Sequence, residues 1–127
     1  MILCIDSGNS RIKWGVHGAG RWLEGGIIEH GETDQLASLT FRLPPATRIL
    51  LANVAGDAAL ARIRQALADS RRELHEVKSV PAAGGVINLY EDPARLGVDR
   101  WCALLGARSL TSAPCVVVMA GTATTID

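Results

Sequence analysis

An apolar run that ends in a glycine turn opens this chain, and a second version of it closes the sequence. Ile2-Leu3-Cys4-Ile5 reads as a buried strand, and Asp6-Ser7-Gly8-Asn9 as a polar turn with glycine where the backbone must bend or approach a ligand. Near the other end, Cys115-Val116-Val117-Val118 is again a buried strand, followed by Met119-Ala120-Gly121-Thr122. One copy alone is an ordinary turn, because Asp, Gly and Asn are the usual turn formers. Two copies constrain the chain much further. They predict two similar half-structures whose strand tips face one another across a nucleotide cleft, with the glycine turns offering N–H groups to phosphate oxygens.

A chain of 127 residues can bury a proper core and corresponds to about one domain. Its 13 Lys and Arg balance its 13 Asp and Glu, so it lacks the basic footprint of a nucleic-acid or anionic-membrane binder. Small molecules or proteins are the expected partners. Cys4, Cys102 and Cys115 have no Cys-x-x-Cys spacing, and two of them fall in predicted buried strands. Free thiols in a reducing cytoplasm account for them better than disulfides or zinc. The apolar start is interrupted at Asp6 with no preceding Lys or Arg, which reads as neither a signal peptide nor a membrane span.

Between the two turns the periodicity changes along the chain. Residues 11–17 alternate, with Ile12, Trp14 and Val16 on one face, and residues 21–29 read as a third strand bulged at Gly25-Gly26. Residues 33–39 suit a short helix, and 48–54 a strand buried on both faces. Residues 57–69 place Leu60, Ile63 and Leu67 on one helical face. Residues 74–80 alternate as a strand, 81–85 read as loop, and a helix runs to about Leu110 with Val98, Trp101, Cys102 and Leu105 inward. The predicted order is β-β-β-α-β-α-β-α, with a boundary at Thr111-Ser112-Ala113. His17, His30 and His75 share no metal-ligand spacing and read as solvated or edge-strand residues.

These motifs and their order resemble type III pantothenate kinase, a family of the actin, sugar-kinase and heat-shock-chaperone superfamily. Asp6-Ser7-Gly8-Asn9-Ser10-Arg11-Ile12-Lys13 is similar to the family's first phosphate motif, and Gly121-Thr122-Ala123-Thr124-Thr125-Ile126-Asp127 to its second. Gly97-Val98-Asp99-Arg100 is similar to its Gly-x-Asp-Arg substrate motif, with Tyr90 at the upstream substrate tyrosine. The phosphate motifs are shared across the superfamily, whereas Gly-x-Asp-Arg narrows the likeness to this kinase. The resemblance implies an α/β, ribonuclease-H-like (actin-like ATPase) domain at 1–111 and the first strand and turn of a second such domain at 112–127. That amounts to about the first half of a typical member.

The resemblance further implies ATP-dependent phosphorylation of pantothenate, the first step of coenzyme A biosynthesis, by a cytoplasmic homodimer. Asp6 through Lys13, with Gly121 and Thr122, would contact the nucleotide, Asp6 holding Mg2+ directly or through water. Asp99 would be the general base, and Tyr90, Gly97, Val98 and Arg100 would bind pantothenate. One position departs from the pattern. The second motif of the family opens on an aspartate assigned to a potassium or ammonium ion, and Met119 stands there. A thioether is a weak, soft acceptor with no charge for a hard cation.

Read without the resemblance, Asp99-Arg100 is helix capping plus a surface charge, Lys13 a solvated strand residue and Tyr90 a core aromatic. Two other classes remain open: a superfamily kinase acting on another small hydroxylated substrate, and a non-catalytic ATP-fold binding protein. The sequence speaks against a P-loop kinase, because no Gly-x-x-x-x-Gly-Lys-Ser/Thr occurs.

Overall fold

Alternate residues of the first strand are buried, and this alternation organises the first half of the molecule. In the computed structural model, which describes residues 1–127, β1 (Ile2–Ser7) buries Leu3, Ile5 and Ser7 and leaves Ile2, Cys4 and Asp6 partly exposed. It pairs antiparallel with β2 (Ile12–Gly18) and parallel with β4 (Arg48–Asn53). With β3 (Arg21–Ile28) and β5 (Leu74–Glu76) these form a mixed five-stranded sheet of order β3-β2-β1-β4-β5. The register sets Leu3 beside Ile49 and Val16, Ile5 beside Leu51, and Ile12 beside Ile28, so one face of the sheet is continuously apolar.

Two helices close that face. Leu36 and Leu39 of α1 (Asp34–Arg42) and Ile63 and Leu67 of α2 (Asp57–Leu67) join Leu3, Ile5, Ile12, Val16, Ile28, Ile49 and Leu51 in one cluster. Burying each such aliphatic side chain contributes about 1.5–3 kcal/mol. Their spacing suits a helix with one inward stripe, since Ala59, Ile63 and Leu67 recur every four residues. The helical cover lies on the Leu3 and Ile49 side, which leaves Leu50 of β4 half-buried rather than buried on both faces as its apolar run suggests.

Other expectations shift for local reasons. β1 runs on through Asp6 and Ser7, because both pair across to Lys13 and Ile12. The bulge falls between Val16 and His17, opposite Leu23, and not at the paired glycines. Gly25 and Gly26 answer a different demand. A Cβ at Gly25 would stand 3.0 Å from the Trp14 carbonyl oxygen, and one at Gly26 would stand 3.0 Å from the Trp14 ring. The strand expected over 74–80 stops at Glu76, since only Leu74, His75 and Glu76 find partners on β4.

The chain separates into two compact units, Met1–Val77 and Lys78–Asp127. In the second, the expected loop contains a small hairpin, β6 (Ala82–Ala83) and β7 (Val86–Ile87), turned by Gly84 and Gly85 at φ 56° and 79°. Two consecutive positive φ values are what a tight hairpin needs and what glycine supplies. Helix α3 (Val98–Leu110) follows, with Val98 and Trp101 buried and Cys102 and Leu105 half-buried. The last hairpin joins β8 (Val118–Ala120) to β9 (Thr124–Ile126).

The expected buried strand at 115–118 is not observed. Cys115, Val116 and Val118 are exposed, because nothing covers the outer face of this hairpin. All three cysteines are free, Cys4 and Cys102 half-buried and Cys115 exposed, and burial pushes the Cys4 thiol pKa up.

Close packing of Trp14 on its neighbouring strand yields a first prediction. Gly25→Ala drives a methyl against a strand carbonyl and is expected to destabilise the protein by about 1–3 kcal/mol. Gly31→Ala, whose Cβ would meet nothing within 4 Å, is the control and is expected to leave the urea midpoint close to that of the parent.

Candidate functional site

The Asp6-to-Lys13 segment forms the hairpin turn between β1 and β2, at the end of the sheet where β1 and β4 both stop. The Gly8 N–H donates to the Arg11 carbonyl at 3.1 Å and closes the turn. A Cβ on Gly8 would stand 3.3 Å from that same oxygen, which is the local reason for glycine. From β4, the Val54 N–H donates to the Ser7 carbonyl at 2.9 Å. The turn is thus tied to the parallel strand as well as to its own hairpin partner.

Alternation along β1 and β2 then sorts the motif's side chains. Ser7 and Ile12, both 0% exposed, point into the core, and the Ser7 hydroxyl has no hydrogen-bond partner there. Only their backbone is left for a ligand. Asp6 and Lys13 lie opposite each other on the other face, with Lys13 Nζ 3.7 Å from Asp6 Oδ2. Asn9 and Ser10 are exposed at the tip, and Arg11 stands 4.0 Å from the Glu29 carboxylate. Lys13 therefore answers a carboxylate first, and an arriving phosphate would find a charge pair rather than a lone cation.

In the second unit, the Gly97-Val98-Asp99-Arg100 segment heads α3. The Gly97 carbonyl accepts the first helical bond from the Trp101 N–H, and Asp99 Oδ1 folds back to accept from the Arg100 N–H at 2.8 Å. A Cβ at Gly97 would sit 2.7 Å from Asp99 Oδ1. Glycine two residues before the aspartate is thus what gives that carboxylate room. Val98 faces inward and can offer only its backbone.

Arg100 gathers the rest. Its guanidinium donates to both carboxylate oxygens of Asp127, through Nε at 2.9 Å and through Nη2, and its Nη1 donates to the Tyr90 hydroxyl at 3.3 Å. Hydrogen bonding to Asp127 raises the Arg100 pKa further, and the same bond lowers that of the Asp127 carboxyl against the opposing effect of burial. Three of the five guanidinium N–H donors are engaged in this way, which leaves two for a ligand. Tyr90 is 43% exposed and so is not a core aromatic.

Three residues of this arrangement carried no sequence signal that singled them out. Asn88 fixes the Tyr90 segment, donating from Nδ2 to the Pro93 carbonyl at 3.1 Å and accepting the Tyr90 N–H at 3.1 Å. Asp127 sits in the second phosphate motif, but its partner is known only once the hairpin is folded beside α3. His30 donates from Nε2 to the Gly8 carbonyl at 2.7 Å, across 22 residues of sequence.

The second glycine turn is closed like the first, the Gly121 N–H donating to the Ala123 carbonyl at 3.1 Å. Both glycine N–H groups are thus spent inside their turns, and any phosphate contact must come from their neighbours. Thr122 is exposed at the tip. Met119 lies half-buried, directly opposite Thr125, whose buried hydroxyl has no partner. No three His, Cys, Asp or Glu side chains gather as a metal site.

The sequence profile of the type III pantothenate kinase family matches residues 2–127. The chain belongs to that family. It is 56% identical to a type III pantothenate kinase of Dechloromonas aromatica, with all of this chain and 53% of that protein covered. Against the family member of Aromatoleum aromaticum the identity is 44%, covering 52% of that protein, and against that of Nitrosospira multiformis 39%, covering 48%. The chain thus spans about half the length of the curated relatives it matches.

The Arg100–Asp127 pair predicts a pH signature in this family member. Because the folded Asp127 carboxyl titrates lower than in the unfolded chain, its stabilisation is present above the unfolded value, about 4, and fades as pH falls through the folded one. Asp127→Asn is expected to lower the urea midpoint at pH 7 and to approach the parent near pH 2. Equal midpoints at pH 7 would show that the pair does not contribute.

Proposed function

We propose that the protein containing this chain uses ATP to phosphorylate pantothenate, giving 4'-phosphopantothenate in the first step of coenzyme A biosynthesis. The observation that carries this reading is the cluster at the head of α3. There the Gly-x-Asp-Arg segment of a chain that belongs to the family sets Asp99 in the first turn of α3, next to Arg100, whose guanidinium meets the Tyr90 hydroxyl. Phosphoryl transfer asks the protein mainly to position its reactants and to offset charge at the transferred group. Asp99 accepts the proton of the pantothenate hydroxyl as that oxygen attacks the γ-phosphorus, and the bond from the γ-phosphorus to the β,γ-bridging oxygen breaks so that ADP leaves. Arg100, already neutralised by Asp127, recognises substrate through its two remaining N–H donors and orientation more than through net charge. Tyr90 borders the same guanidinium.

Asp6, Asn9, Ser10, Arg11, Lys13 and Thr122, with the backbone of Ser7 and Ile12, are the proposed nucleotide contacts, while Gly8 and Gly121 shape the two turns that present them. Asp6 fits Mg2+ bound through one carboxylate, since this ion keeps waters and phosphate oxygens as its other ligands. Bound there, it would screen the phosphate charge. Met119 does not fit a monovalent cation, so no step is assigned to potassium or ammonium.

The sheet order β3-β2-β1-β4-β5 and the two helices packed on it support a ribonuclease-H-like arrangement of the first unit; the proposed domain extends over 1–111, with 112–127 opening a second such domain. No helix is long and apolar enough to cross a membrane. We take the full-length protein to be a cytoplasmic homodimer without nucleic-acid or membrane partners. Met119 favours one second reading, a member that binds ATP without turning it over.

Assays of the full-length protein decide between these readings. Asp99→Asn is expected to lower kcat for pantothenate phosphorylation about 10²- to 10⁴-fold while KM for ATP holds. Transfer to other small hydroxylated compounds but not to pantothenate would reject the substrate assignment. ATP binding without transfer to any acceptor would favour the non-catalytic reading.

Met119→Asp is expected to raise activity about 10²-fold and to make it depend on potassium or ammonium. The buried Thr125 hydroxyl opposite is a ready donor for the new carboxylate. A parent enzyme already fast and potassium-dependent would refute the role given to Met119.

A further inference from the structure

His30 follows the end of β3, outside every motif described above, and yet its ring reaches the first phosphate turn. Its Nε2 lies 2.7 Å from the Gly8 carbonyl oxygen. A carbonyl can only accept, so Nε2 carries the proton and Nδ1 of the neutral ring is the lone-pair nitrogen. Nδ1 is buried and has no partner, which leaves the Gly8 bond as the one polar contact that orients the imidazole.

The neighbouring residue acts in the same direction. Glu29 stands 4.0 Å from Arg11, so two successive residues after β3 brace opposite ends of one turn. The register makes this reach possible, because Ile28 pairs with Ile12 and brings the end of β3 beside the start of β2.

The consequence for a ligand follows from peptide geometry. A peptide group is planar and trans, so the carbonyl of one residue and the N–H of the next point in opposite directions. Fixing the Gly8 carbonyl toward His30 therefore aims the Asn9 N–H away from His30. The Gly8 N–H is already spent on Arg11. Asn9 lies exposed at the tip of the turn, and its N–H is the donor whose direction the His30 contact controls.

We propose that His30 is a positioning residue for the nucleotide: it locks the Gly8–Asn9 peptide so that the Asn9 N–H meets a phosphate oxygen of ATP. This rests on the kinase reading above and adds to it a group outside the motifs. His30 touches neither reactant. It acts through the peptide it holds.

Three variants of the full-length protein test this. His30→Leu keeps bulk but loses the donor, His30→Gln keeps a donor at the reach of Nε2, and His30→Asn carries an amide too short to reach. His30→Leu and His30→Asn are expected to raise KM for ATP about five- to tenfold, as for loss of one hydrogen bond. KM for pantothenate should stay unchanged, and His30→Gln should recover most of the loss. A merely structural role would instead lower the melting temperature and the active fraction without moving KM for ATP. An unchanged KM for ATP, an equal rise in KM for pantothenate, or a Gln variant no better than Asn would each overturn the proposal.

Hydrogen exchange at the Gly8 amide reads the brace without any nucleotide and is expected to quicken in the Leu and Asn variants. Quickened exchange in a protein that binds no ATP would reject the kinase reading and, with it, the nucleotide role, while leaving the brace itself in place. Unchanged exchange would overturn the brace whatever the protein phosphorylates.

Discussion

The parallel pairing of β1 with β4 is the constraint on which the first unit depends. It sets Leu3 against Ile49 and Ile5 against Leu51, and the helices can bury only the face those residues define. Because side chains alternate along a strand, the same register decides the fate of the motif at the end of β1. Ser7 continues the buried row and Asp6 the other one. A slip of one residue would bury the carboxylate and expose the core. The site and the core are thus two readings of one alternation.

The second unit is organised by charge rather than by a sheet. Arg100 is held by Asp127 on both carboxylate oxygens and borders Tyr90, so residues far apart in sequence meet at one guanidinium. Such a bidentate pair is specific in geometry, because the planar fork of Arg matches a carboxylate edge to edge. It also limits what Arg100 can offer to any ligand. A paired guanidinium selects by the direction of its remaining donors, and a carboxylate ligand would have to compete with Asp127 for its charge. Gly97 completes the arrangement by leaving the space that the Asp99 carboxylate occupies.

Met119 is the point at which this chain diverges from the pattern it otherwise follows. It sits half-buried, opposite a threonine hydroxyl that has no partner. A buried hydroxyl without a partner has a cost, and an acceptor across the strand would remove it. The surroundings therefore suit an oxygen ligand better than the thioether that is present.

Much of this was legible in the sequence because it rests on local rules. An apolar run located β1, period-two alternation located β2, and helical spacing located α2 and α3, while the glycine turns marked both motifs at the ends of the chain. Gly-x-Asp-Arg marked Asp99 and Arg100 before any geometry was known. What the sequence left open depends on what lies across space. The apolar runs of β1 and β4 did not reveal that only one face would be packed by helices, nor did the run after Pro114 reveal that Val116 and Val118 would stand exposed. Gly25-Gly26 read as a bulge because their true partner, the Trp14 ring and carbonyl, lies on the neighbouring strand. The partners of His30 and Asp127 carried no local signal, since one or two hydrogen bonds across 22 or 27 residues leave no periodicity. The sequence by itself determined β1, β2, the three α-helices and the glycine turns, because these follow from neighbours along the chain. Only the tertiary structure decided which side chains point at one another, because strand register and helix cover are set by packing between distant segments.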